Sequence, residues 1–534
     1  MSPAAASAGA IVVVVSRRSF VLVSALALGC GSEGSDAESG ESGSSNPPPP
    51  LMASCEAPEP PSLAAPTEVG SADELRAAVA AGGEVRLTAD IEADAPFVNT
   101  QPVVIDGGGH TISGGGSTHL FVAEEADFTL MNVTLRDAVN RVPDSEHFSR
   151  RSGAAVMMDG SGQGTLSIFD VRFENNTIGD TGPGDLRGGA LYAFAVPDVV
   201  IVDSEFVDNR GSNGGAIGGL GSSFTIVNTA FVDNVTTGQG GPGALEGRGG
   251  AISLDALSQN EQTAYFEVCG SYFENNRAKH AGGAIALVTH QWQAATVVVD
   301  QSTFLRNSTD DTAGGSGGAI YLLDDENYPR EKAANQSLIA NSYFEGNNTL
   351  GGGGGLWFMT ESGSLDLQNT TFFDNRTTAG MGMGGAIALV SGPTQITHCT
   401  FARNHAQFHG GGIQAAGDAA VTVTNSLFDD NTSDRDGGWA WFHANRELQD
   451  GGGNVQWLDP SLEIDGNSNL PVVAGATLAD PLLDEPADNG GSTHTMALGG
   501  GSPAVDAGIQ SNLDTDQRGE PRSGAPDAGA YEVQ

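Results

Sequence analysis

Positive charge is what this chain has least of. Its 534 residues carry 23 Lys and Arg against 66 Asp and Glu, a formal net charge of −43. A surface that acidic excludes nucleic acid and an anionic membrane face as partners. Cysteine is also scarce: Cys30, Cys55, Cys269 and Cys399 are all there are, and their spacing is not that of a zinc site. The apolar run Phe20 to Leu28 is too short to cross a bilayer as a helix. Glycine, by contrast, is abundant at 76 residues, about twice the usual share.

The glycines belong to a repeat. Phe-x-x-Asn occurs nine times, at Phe173/Asn176, Phe206/Asn209, Phe231/Asn234, Phe273/Asn276, Phe304/Asn307, Phe344/Asn347, Phe372/Asn375, Phe401/Asn404 and Phe428/Asn431. A Gly-Gly pair follows each, opening at Gly188, Gly214, Gly249, Gly282, Gly317, Gly354, Gly384, Gly411 and Gly437 and usually continuing into Ala-Ile. Steps between successive Phe residues run from 25 to 42 residues. Such self-similarity signals a solenoid or an array. Five residues before each Phe stands an aliphatic (Ile201, Ile226, Ile339). Three before it is usually Asp or Asn (Asp203, Asn228, Asn341), and two before it a small residue (Ser204, Thr229, Ser342).

That pattern describes a short strand, a bend held by a side-chain amide or carboxylate, and a second strand. Gly-Gly permits positive φ or close backbone approach at the next corner. β-Branched residues and Gly at this density oppose a helical period. A β-propeller would need four strands between successive Phe motifs, and the shortest step of 25 residues leaves little room for them. The fold class is therefore all-β: a right-handed parallel β-helix with Phe above Phe and Asn above Asn. At about 4.8 Å per coil the rod is roughly 60 Å long. Cys269 and Cys399 would then lie about 19 Å apart along the stack, and a disulfide spans at most ~7 Å between Cα atoms. No bridge between them is expected.

Phe-x-x-Asn alternating with Gly-Gly-Ala-Ile is similar to the repeat of the polymorphic outer-membrane proteins, a bacterial surface family, over about 173–439. The copies Gly355-Leu356-Trp357, Gly412-Ile413 and Gly438-Trp439 depart from the Ala-Ile ending. Members of that family also carry a C-terminal membrane barrel. The stretch after Asn431 lacks the alternating apolar segments of one, which puts surface adhesion by that route in doubt.

Both ends of the rod are readable. Ser71, Glu74 and Gly82 fit a capped amphipathic helix, followed by Val103-Val-Ile-Asp106 and Phe128-Thr-Leu. This order resembles the start of pectate-lyase-like β-helices, where a short helix covers the first coil. At the other end Asn489-Gly-Gly-Ser-Thr-His, Ser502-Pro-Ala-Val-Asp506-Ala-Gly508, Asp516-Gln-Arg518 and Asp527-Ala-Gly-Ala-Tyr-Glu532 resemble a "choice-of-anchor" tail. Asp506, Arg518, Arg522, Asp527 and Glu532 could be a catalytic acid–base set; a charge-paired latch closing the last coil is the preferred reading.

Residues 1–30 read as a targeting segment. Ser16-Arg17-Arg18-Ser19-Phe20-Val21 resembles a twin-arginine signal, and Leu26-Ala-Leu-Gly-Cys30 an imperfect lipobox whose Cys30 would carry the lipid anchor. Residues 31–66, rich in Ser, Gly, Glu and Pro, read as a flexible linker. The β-helix is expected over 67–460 and a C-terminal capping or anchor-type region over 461–534.

Three consecutive copies have long segments after the Gly-Gly corner: Ser253–Glu267, Ala286–Val298 and Tyr321–Leu338. Stacking should project them side by side from one edge. They carry Gln259, Tyr265, His290, Trp292, Asp324, Asp325, Glu326, Tyr328, Arg330 and Lys332. Of these His290, Trp292, Asp324, Asp325, Tyr328, Arg330 and Lys332 are the candidate ligand-binding residues. Aromatics beside carboxylates and a basic pair suit sugar binding, and a β-helix polysaccharide lyase needs an acid-stabilising cation and a base at such an edge. The alternative is a tolerated surface loop with a solvated charge run. The paired Asp-Asp, Gly-His-Gly and Arg-x-Lys motifs of pectate lyases and polygalacturonases are not recognisable, nor is the tandem calcium repeat.

The leading reading is a non-enzymatic, lipid-anchored surface β-helix that binds or displays, by adhesion or carbohydrate binding. An extracellular polysaccharide lyase or glycoside hydrolase comes second, and a structural spacer third. Expected partners are an extracellular polysaccharide or surface receptor, and the outer membrane through the lipid anchor. A monomer is expected, with no cofactor beyond calcium bridging an anionic ligand.

Overall fold

A computed structural model describes residues 55–141, 148–178, 186–238, 246–258, 264–289, 295–310, 315–324, 335–417, 419–434, 441–464 and 468–534. The chain divides into a unit of residues 1–50, outside that set, and a unit of 51–534. In the second unit every named strand pair is parallel. From Leu191 to Ser433 each coil contributes four strand segments in order, as the one built from Leu191–Phe194, Asp198–Val202, Glu205–Val207 and Arg210–Gly211 does. Corresponding strands stack into four ladders, here the first to the fourth in that order. The second ladder runs through fourteen rungs from Thr67–Val69 to Gln449–Gly452, about 60 Å at the usual strand spacing.

The repeat columns become continuous stacks. All nine Phe residues of the motif pair in register on the third ladder. Their rings stack nearly parallel with centroids 4.4–5.2 Å apart. The nine Asn residues are fully buried. Asn307 shows why: its Nδ2 donates to Phe273 O and Asn347 Oδ1, and its Oδ1 accepts from the N and Nδ2 of Asn276, all at 3.0 Å. One amide thus satisfies backbone groups that a turn would otherwise leave buried and unpaired. A hydroxyl ladder runs beside it, Ser204 to Thr229 to Ser271 to Ser302 to Ser342 to Thr370. In the same column Cys399 is buried and free.

The Asp/Asn bend residues adopt left-handed backbone, as Asp203, Asn228 and Asn341 do (φ 47–50°), a region that Asx side chains tolerate best after Gly. A second left-handed column stands two residues after each Phe: Asn175, Asp208, Asp233, Asn275, Arg306, Gly346, Asp374, Arg403 and Asp430. Glycine is required at the Gly-Gly corner. At Gly214 (φ +67°) a Cβ would lie 1.9 Å from Ile217 O. In two copies the pair is shifted from its expected position: the positive-φ residues are Gly353 and Gly410, so that Gly355 and Gly412 occupy the small-residue slot filled elsewhere by Ala.

Helix Ala72–Ala81 covers the first coil with Leu75 and Val79, capped by Ser71 and ended by Gly82 at φ +76°. Residues 55–66, expected to be linker, lie along the rod. Ala64 and Ala65 donate to Glu84, Leu63 and Ala57 pack on Met131, Phe169 and Val202 outside the second ladder, and Cys55 is disulfide-bonded to Cys269 with Cα atoms 5.3 Å apart.

The tail does more than close the last coil. Thr477–Leu478 adds a final rung beside Val455–Trp457, and the chain then reaches back outside the third ladder as far as Gln301. Here the column before each Phe changes character. Arg172, Glu205 and Tyr272 are at least partly exposed, whereas Tyr343, Thr371, Thr400 and Leu427 are buried. His494 packs on Tyr343, Gln517 bonds Thr371, Ala530 bonds Thr400, and Ala504 and Ala528 pack on Leu427.

Candidate functional site

The first ladder alternates its side chains between core and outside. Leu191, Ile252, Ile285 and Leu356 point into the common core. The intervening residues form two outer columns, one through Tyr192, Gly218, Ser253, Ala286, Tyr321, Trp357, Ala388 and Gln414, and one through Phe194, Leu220, Asp255, Val288, Leu323 and Met359. The outside of this ladder holds two apolar groups. Val122, Met157 and Tyr192 pack with Phe194 and Leu220; further along, Ala286, Val288, Tyr321 and Leu323 pack with half-buried Trp357 and Met359. The Tyr321 and Trp357 rings stack at 4.4 Å and 10°, because residues in register on adjacent parallel rungs sit one strand spacing apart.

Between the two groups the face is polar. Arg187 is buried, and its guanidinium reaches two rungs along to Asp255, at 2.8 Å, and to Gly219 O, at 3.4 Å. Gly218 makes the path possible, since a Cβ there would sit 2.5 Å from that of Arg187. This contact clamps three rungs.

Beside Tyr321 and Trp357, at the end of the strand Ile320–Leu323, Asp324 closes a narrow cavity lined by Leu287, Leu322, Phe358, Thr289 and Asn335. Its carboxylate accepts from Thr360 Oγ1 (3.0 Å), Ser362 Oγ (3.4 Å) and Thr289 Oγ1 (3.4 Å). Asn335 donates to Thr289 and accepts from Ala295 N, which ties the start of one long segment to the end of another.

Of the residues expected to bind ligand, Asp324 is placed here. His290, Trp292, Asp325, Tyr328, Arg330 and Lys332 lie outside the described residues, as do Gln259 and Glu326. Tyr265 does not join this group. It belongs to the strand Ala264–Cys269, and its hydroxyl donates to Asp198 at 2.7 Å on the second ladder. The expected long segments are also partly strand, since Ser253–Asp255, Ala286–Val288 and Tyr321–Leu323 are ladder residues. The repeat pattern alone does not pair Tyr321 with Trp357, though both residues directly follow the aliphatic of their copies.

The charged residues of the tail are committed to its own fold. Asp516 accepts from Arg518, Glu520 N and Glu532 N. Asp527 accepts from Asp506 N and Val533 N. Glu532 accepts from Ser523 N and Asp527 N and pairs with Arg522 at 3.0 Å, both side chains almost wholly buried. With their oxygens turned to backbone donors, these carboxylates form a latch.

Residues 326–467 match the family model described as a right handed beta helix region. The rod is a right-handed parallel β-helix. Within it, residues 270–287 match the Chlamydia polymorphic membrane protein repeat; this segment holds Phe273-x-x-Asn276 and Gly282-Gly283-Ala284-Ile285. No curated protein matches the chain. Both matches fall on the repeating rod, and the second is to a repeat of a membrane protein family.

Proposed function

We propose that this β-helix is a lipid-anchored, non-enzymatic binding or display protein whose ligand, an extracellular polysaccharide or surface receptor, docks outside the first ladder. The observation that carries the reading is half-buried Trp357, stacked on Tyr321 in the outer column of the first ladder. An aromatic side chain held at the surface by its packing is what a pyranose ring packs against. The commitment of the tail carboxylates to backbone donors favours binding over an acid–base pair at that end. His290, Trp292, Asp325, Tyr328, Arg330 and Lys332, the other proposed ligand-binding residues, belong to segments that leave the first ladder after Val288 and Leu323 and enter the second at Ala295 and Gln336.

Affinity electrophoresis through polysaccharide gels tests it, run with and without calcium because a strongly acidic protein meets an anionic polymer only through a bridging cation. Trp357→Ala should weaken retention about 5- to 50-fold, the scale of losing one aromatic contact, while circular dichroism keeps the β signal of the rod. Unsaturated products absorbing in the near ultraviolet, lost on Arg330→Ala or Lys332→Ala, would establish the eliminating enzyme instead. With neither retention nor product across a broad glycan panel, the spacer reading replaces both.

A further inference from the structure

The disulfide joins the first described residue of the chain to the middle of the rod. Cys269 ends the eighth of the fourteen second-ladder rungs, while the rod itself begins at Thr67. Between Cys55 and the contact of Ala64 with Glu84, the chain spans six rungs, about 29 Å. Nine residues at ~3.3 Å each cover about 30 Å, so the strap is drawn out almost straight. Its apolar residues fill the outer side of rungs four to six, on Met131, Phe169 and Val202. The bond closes a loop of 214 residues, holding the cap helix and the first seven rungs.

We infer that this clasp is a load bypass: tension on the chain before Cys55 enters the rod at Cys269 and does not cross rungs one to seven. Without the bond, tension would arrive at Thr67 and peel strands from the end of the stack one rung at a time. With it, tension arrives inside the stack, where Ala264–Cys269 is hydrogen-bonded to a rung on each side. The first rungs and their cap helix then stay folded under load. The inference rests on the proposed reading that the anchored end is the N-terminal one. It also accounts for the otherwise unexplained investment of two of the chain's four cysteines in one long-range bond.

Single-molecule extension of residues 31–534, held by ligated tags at both ends, tests it. Full unfolding of the oxidised protein should fall short of that of the Cys55→Ser/Cys269→Ser variant by roughly 700–770 Å, the extended length of the 214-residue loop. Adding a dithiol under constant force should release that length in one step. The first unfolding event of the oxidised protein should also need a higher force than that of the variant, or of wild type reduced beforehand should the variant fold poorly. Equal extensions for the oxidised and reduced chains would remove the clasp itself. Equal first-event forces with unequal extensions would leave the clasp as a cross-link only and overturn the bypass. Neither result depends on lipidation, which fractionation of Cys30→Ser addresses separately.

Discussion

At the scale of single residues, the buried Asn column holds the coils together. Asn307→Ala would leave Phe273 O without its amide partner and Asn276 N without its acceptor. We expect a loss of about 2–4 kcal/mol in urea denaturation, the cost of stranding two buried polar groups; a variant as stable as wild type would mean the ladder is not under stress. Titration offers a second test. Burial, with the neighbouring Asp430 carboxylate, raises Asp429 to about 7, against a smaller lowering by Arg403. The folded state then holds a proton that the unfolded chain has released, so this contribution is complete below about pH 4 and fades as pH rises through 7. His443 is the opposite case, pushed down to about 3 by burial. Its contribution is complete above about pH 6.5 and fades as pH falls toward 3. Asp429→Asn should therefore flatten the loss of stability toward neutral pH, and His443→Gln the loss toward acid pH, in denaturation curves collected from pH 4 to 8.

At the scale of elements, the tail is a separate piece of architecture laid on the third ladder. It is keyed by the buried Arg522–Glu532 pair and by the bond from Arg522 to Asn369 Oδ1 at 3.0 Å. Truncating one partner of a buried pair strands the other charge. Arg522→Ala should cost about 3–5 kcal/mol of tail docking and open the chain after Leu478 to protease, while far-ultraviolet circular dichroism keeps the β signal of the rod. A variant whose rod melts together with its tail would show the two to be one cooperative unit.

At the scale of the whole described unit, the two straps divide the rod between them. The N-terminal strap lies outside the second ladder up to Cys269, and the tail lies outside the third from the last coil back to Gln301 on the next rung. The first ladder, with Tyr321 and Trp357, lies apart from both. Anchoring is tested at this scale: Cys30→Ser should move the protein from membranes to the soluble fraction, because among the described residues no helix is long and apolar enough to cross a membrane. Retention of the variant on membranes would end the lipoprotein reading.

The repeat by itself determined the solenoid and the stacked Phe and Asn columns, as Ser71, Glu74 and Gly82 did the capping helix. The reason is physical: in a parallel stack identical positions become neighbours, so a periodic sequence states its own contacts. The second left-handed column was equally legible, since Asn175, Asp208 and Asp233 recur two residues after Phe, a signal of the same kind as the first. The tertiary structure alone decided what non-periodic segments touch. Cys55 belongs to no repeat, so no spacing could assign it to Cys269. The change from Arg172 and Glu205 to Thr371 and Leu427 in one column acquires meaning only once the tail is seen to cover the second pair. Trp357 likewise stood out as a departure from Ala-Ile, but its stacking on Tyr321 depends on register between rungs 36 residues apart, which segments of variable length conceal until the chain is folded.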